Sequence, residues 1–94
     1  MDYLSKGLSA AKKAFLDSNS ETANNLFTKA DSAMRGLDAT QQLDVYKHLV
    51  DSIRITCEGA ENNIKSLGMQ ADSEEFFRQY ESRLSELRTK YGLY

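Results

Sequence analysis

The chain has no proline and no tryptophan, and only one cysteine and one histidine. Without proline, the strongest helix breaker is missing, so long helices can form. A single cysteine cannot close an internal disulfide, so the fold needs no oxidising compartment. No apolar run approaches the roughly 20 residues that cross a bilayer. The stretch from Met1 to Leu16 carries charges where a secretory leader needs an unbroken apolar core. A cytoplasmic protein with no membrane partner is expected. Charge of one sign is also lacking: 12 Lys and Arg face 14 Asp and Glu, for a net charge of −2. A dedicated nucleic-acid domain usually carries a basic excess. The sequence holds no Gly-rich phosphate loop, HExxH, CxxC or nucleophile elbow. It is therefore read as a non-enzyme with no cofactor.

What is present is helical periodicity. A chain of 94 residues is read as one domain over 1–94. From Leu37 to Gly68 the apolar residues fall at Leu43, Tyr46, Val50, Ile53, Cys57, Ala60, Ile64 and Leu67. Spacings of three and four alternate throughout, which specifies one long helix with a continuous buried seam. Asp38 with Gln41 forms a capping box at its start. Gly59 is its weak point, marking a bend or a close approach by another backbone.

Three further helices are expected around it. The first places Leu4, Leu8, Ala11 and Phe15 on one face, and Asp17-Ser18-Asn19-Ser20 is read as its end. The second starts from a capping box of Ser18 and Glu21 and buries Ala23, Leu26, Phe27, Ala30, Ala33 and Met34, with Gly36 as a left-handed stop. The last starts at Asp72 with Glu75, aligns Phe77, Tyr80, Leu84, Leu87, Tyr91 and Tyr94, and stops at Gly92. Short connections favour antiparallel neighbours. The expected fold is an all-α, antiparallel four-helix bundle over about 2–16, 19–35, 39–67 and 73–91, organised on its long third helix.

Ala23, Phe27 and Ala30 form an A-x3-F-x2-A pattern, and Ala11 lies twelve residues before Ala23, in the helix expected to precede it. This resembles a single tetratricopeptide-repeat hairpin, in which small residues let two helices nest around a Phe. Gly7 stands where that family has a large aromatic and Arg35 where it has proline, and no second copy follows. The resemblance covers about a third of the chain and implies a protein-interaction module.

Candidate sites are few. His48 lies between Asp44 and Asp51 at helical spacing, so the three could approach one metal ion. A stable site wants three or four ligands, often softer ones, and the ordinary reading is a solvated helix flank. Cys57 sits on the seam, where it acts as a small hydrophobe. Arg78, Arg83, Arg88 and Lys90 with Tyr80 and Tyr91 give the last helix a local basic bias. They are the residues a nucleic-acid reading would use, against a commoner reading as an amphipathic helix of alternating charge. Val45 and Leu49 add a second apolar ridge to the long helix, Phe76 is offset from the seam of the last helix, and Tyr91 and Tyr94 leave an aromatic end. This surplus of apolar surface points to contact with another protein or with a second copy. The functional expectation is a small soluble, non-catalytic interaction or assembly module. Nucleic-acid binding through the last helix and metal binding through His48 are the alternatives.

Overall fold

The computed structural model describes the backbone over residues 2–93 and the side chains over residues 6–93. Three α-helices account for almost all of it: α1 over Asp2–Met34, α2 over Ala39–Lys65 and α3 over Ser73–Tyr91. The expected four-helix bundle is thus corrected to three helices, because the helices read over 2–16 and 19–35 are one. The polar run Asp17–Ser20 stays helical. It holds neither proline nor glycine, so each residue costs only a few tenths of a kcal/mol in helix propensity. Two of its members face the rest of the protein. Asn19 is buried and donates from Nδ2 to the Cys57 Sγ at 3.8 Å. Ser20 accepts a hydrogen bond from the Tyr80 hydroxyl at 3.4 Å. Phe15, Asn19, Ala23 and Phe27 follow one another at i, i+4 spacing, so the buried face of α1 runs through the polar segment in register.

The ends of the helices are set by local chemistry, only partly that expected. Asp38 caps α2 with a complete capping box: the Gln41 N–H donates to Asp38 Oδ1 at 2.9 Å and the Asp38 N–H to Gln41 Oε1 at 3.3 Å. Gly36 does not adopt the left-handed conformation expected of it; only Gly68 and Gly92 do. The Met34 carbonyl at the end of α1 accepts from the Leu37 N–H at 3.2 Å and from Gln42 of α2, whose Nε2 reaches it at 2.9 Å. Asp72 caps α3 by accepting from the Glu74 N–H at 3.0 Å. A second carboxylate comes from α2, where Glu61 accepts from the Ser73 N–H at 2.9 Å. Gly92 closes α3 at φ 66°. The Leu93 N–H donates to the Arg88 carbonyl and the Gly92 N–H to Thr89, which is the Schellman pattern, and its apolar residue Leu93 is buried.

α2 is the shared helix, packing antiparallel against both α1 and α3. The core joins Ala23, Phe27, Ala30 and Met34 of α1 to Leu49, Ile53 and Cys57 of α2 and Phe77, Tyr80, Leu84 and Leu87 of α3. On α2 the buried positions are Leu49, Ile53, Cys57, Ala60 and Ile64, while Val50 is half-buried and Leu43 exposed. The expected seam therefore holds from Ile53 to Ile64. Toward the start of α2 it turns to Leu49, because there the helix is covered from two sides. The molecule is a rod of 57 × 19 × 17 Å with a radius of gyration of 15.9 Å. No helix among the described residues is long and apolar enough to cross a membrane.

Candidate interaction face

α3 covers one side of the α1–α2 pair, and the two sides of that pair have different chemistry. On the covered side α1 and α3 run parallel, joined by polar and aromatic contacts. The Arg83 guanidinium stacks 4.1 Å over the Phe27 ring and donates to the Asn24 side chain. Lys90 Nζ lies 3.0 Å from Asp31 Oδ1, Arg35 reaches the same carboxylate at 3.5 Å, and Tyr91 donates to it as well. These contacts hold Asp31 below the ordinary carboxylate value, chiefly through the Tyr91 hydroxyl and then Lys90. The cleft between these helices, about 280 Å³, is lined by Asp31, Arg35, Arg83, Glu86 and Lys90 over a floor of Phe27 and Leu87.

The opposite side is open. α1 presents Phe15, Ser18, Asn19 and Thr22, and α2 presents Thr56, Gly59, Ala60 and Asn63, around a cleft of about 140 Å³ with no charged side chain in its lining. Farther along, Leu26, Lys29, Ala30 and Ala33 face Val45, His48, Leu49 and Ser52 across a second cleft of about 230 Å³. Lys29 and His48 are the only ionisable residues lining either cleft, and both lie in the second. Ile55, three residues from Ser52 and four from Gly59, is 68% exposed beside this face. The two clefts are therefore lined by small, apolar and uncharged polar residues apart from Lys29 and His48, in a chain of which 28% is charged.

Its floor contains an unfinished polar contact. Asn19 is 4% exposed, and its Oδ1 is the only buried side-chain N or O atom without a partner among the described residues. The amide offers one donor group and one acceptor to a single weak sulfur partner, so turning it over would only exchange which atom is left alone. Such an orphan costs about 1–3 kcal/mol. Burial pushes the Cys57 thiol above its ordinary value, against the opposing hydrogen bond from Asn19.

The residues singled out from sequence divide between the two sides. Val45 and Leu49 line the open face. Phe76 and Tyr91 are half-buried against the core near α3; Tyr94 lies outside the described residues. His48 is on the open face with Asp44 and Asp51 exposed nearby on α2, and no group of three or more His, Cys, Asp or Glu among the described residues could hold a metal ion. Of the four cations of α3, Arg83 and Lys90 are engaged with α1, and Arg88 donates from Nε to the Leu93 carbonyl at 2.9 Å beside the Tyr46 ring. Ala11, Ala23, Phe27 and Ala30 all lie on α1. The sequence reading missed Ser18, Asn19, Thr22 and Thr56. For Ser18, Asn19 and Thr22 the signal was present in the unbroken i, i+4 register through the polar run.

Comparison with family models, with curated proteins and with solved structures gives no significant match.

Proposed function

We propose that the chain is a small, non-catalytic helical module that works by contact with another protein surface, through the open face of α1 and α2. The observation that carries this reading is the distribution of charge. Cations and acids crowd the α1–α3 side, whereas the clefts opposite are lined by Ser, Thr, Gly, Ala and apolar residues, with Lys29 and His48 at one end only. A surface that stays in water has no physical need to avoid charge, while the centre of an interface does. The cations of α3 favour this reading over nucleic-acid binding, because Arg83 and Lys90 are engaged with α1 and Arg88 lies against the Tyr46 ring of α2.

The test is site-specific photo-cross-linking in cells that make the protein. A cross-linker at Ile55 or Thr22 reports on the open face, and one at Ser82 reports on the outer side of α3. Covalent adducts from the first two positions and none from Ser82 are expected. Adducts from all three alike, or from none, would overturn the proposal.

A further inference from the structure

We infer that the cleft between α1 and α3 binds a small organic acid: one carboxylate carried on a short apolar stem. This cleft shares no residue with the clefts of the open face, so the inference is independent of the interaction reading above.

The site is centred on Arg83, whose guanidinium is held in place without a counter-ion. Its Cζ lies 4.1 Å from the centre of the Phe27 ring, and Nη1 donates to the Asn24 side chain. Both partners are uncharged. Among the described residues no carboxylate lies within 4.0 Å of Arg83, and it makes no other hydrogen bond. A guanidinium offers five N–H donors in a rigid fork that matches a carboxylate. Lys90 is accounted for by its ion pair with Asp31; the outer edge of Arg83 is not accounted for within the chain. An acid meeting this fork would find it already ordered, which lowers the entropic cost of binding.

The charge of the lining sets the charge of the ligand. Arg35, Arg83 and Lys90 stand against Asp31 and Glu86, leaving one positive charge in surplus. Asp31 is already engaged by Lys90 at 3.0 Å, by Arg35 at 3.5 Å and by the Tyr91 hydroxyl. Glu86 lies one turn along α3 from Arg83 and forms no ion pair among the described residues. One negative charge on the ligand balances the cleft. A doubly charged phosphate would overshoot and be repelled by Glu86.

The floor calls for an apolar stem. Phe27 and Leu87 are both buried and lie beneath the charged rim. A few placed polar groups over an apolar floor is how small-molecule sites hold their ligands. At about 280 Å³ the cleft lies just below the ~300–1,000 Å³ range of such sites, so the stem is short.

The experiment is a titration of the whole chain with hexanoate, followed by backbone amide NMR shifts, with hexanamide and inorganic phosphate as controls. Saturable shifts centred on Thr28, Ser32, Arg83 and Leu87 are expected with hexanoate only, weakening as salt is added. No saturation by ~10 mM hexanoate, well above a millimolar Kd, would overturn the inference. Hexanamide acting as well as hexanoate would overturn the anionic part, and phosphate acting as well would overturn the apolar part. Arg83→Gln should weaken binding roughly tenfold or more. Glu86→Gln, which breaks no described contact, should tighten it roughly threefold. Arg78→Gln, on α3 but outside the cleft, should leave it unchanged; an equal loss there would show a response to net charge alone and sink the site. If Arg83→Gln loses helicity by circular dichroism, Glu86→Gln decides, and unchanged or weaker binding in that variant ends the proposal. A capped Leu-Glu-Leu peptide carries the same carboxylate on a protein chain. Tighter binding of that peptide than of hexanoate, at the same residues, would overturn the free acid as the ligand.

Discussion

The Tyr91 hydroxyl donates to the Asp31 carboxylate and lies 3.1 Å from the Asp31 backbone carbonyl. Sixty positions of sequence separate the two residues, and this contact fastens the end of α3 to α1. Asp31 is held below its ordinary value by Tyr91 and Lys90, and Tyr91 is pushed above its own by the Asp31 carboxylate. A lowered carboxylate value gives stability that is present above pH about 4 and is lost as the pH falls through the lowered value. A raised tyrosine value gives stability that is present below pH about 10 and is lost as the pH rises through the raised value. Tyr91→Phe should therefore lower the melting temperature at neutral pH and flatten the profile at both extremes, and Asp31→Asn should flatten the acid side. Melting curves from pH 2 to 11 are the check; unchanged slopes in both variants would show that this contact does not form.

Ser18→Pro distinguishes a continuous α1 from two helices with a loop between them. In a loop, proline would be tolerated. In the middle of α1 it removes a hydrogen bond and clashes with the preceding turn, at a cost of about 3 kcal/mol or more. For a chain of this size that is a loss on the order of 12–24 °C. Thermal denaturation followed at 222 nm measures it, and a variant within a degree or two of the wild type would restore the break.

Gly59→Ala should stabilise the single chain. The added methyl meets open space, and alanine gains about 1 kcal/mol over glycine in a helix interior. A rise of roughly 4–8 °C is expected, measured at a concentration low enough to exclude association. A fall would mean that the space beside Gly59 is already filled within the chain.

Cys57 should be chemically silent while the protein is folded. It is 1% exposed and burial raises its thiol value, so little thiolate is available to react. Ellman's reagent at pH 8 should label it only at the rate of unfolding and at once in denaturant. Rapid labelling of the native protein would place Cys57 outside the α1–α2 contact.

The helical class, α2 and α3 were legible because each carries a periodic stripe and end signals that match, except that Asp72 caps α3 through the Glu74 N–H and without the box expected with Glu75. Asp38 with Gln41, and Gly92 with Leu93, behave as their residue types dictate. Asp17–Ser20 misled because Asp, Ser and Asn have a local preference for caps and turns, whereas Asn19 and Ser20 are committed here to Cys57 and Tyr80. Both partners are distant in sequence, and no local rule contains them. At Gly36 the chain leaves α1 without a left-handed residue, with the Leu37 N–H and the Gln42 side chain both on the Met34 carbonyl. The open face was half legible. Val45 and Leu49 stood out as surplus apolar residues, but their neighbours Ser18, Thr22 and Thr56 become part of a surface only once α1 is continuous.

The 57 × 19 × 17 Å shape has a consequence for how the molecule behaves in solution. Its radius of gyration of 15.9 Å exceeds the roughly 12 Å of a compact domain of this length. A rod with three-to-one proportions tumbles and migrates like a heavier sphere. One chain alone would leave a sizing column early and show slowed rotational relaxation, both of which imitate a dimer. Two rods laid side by side would double the mass while barely lengthening the particle, so elution volume should move little on pairing while scattered intensity per unit mass doubles.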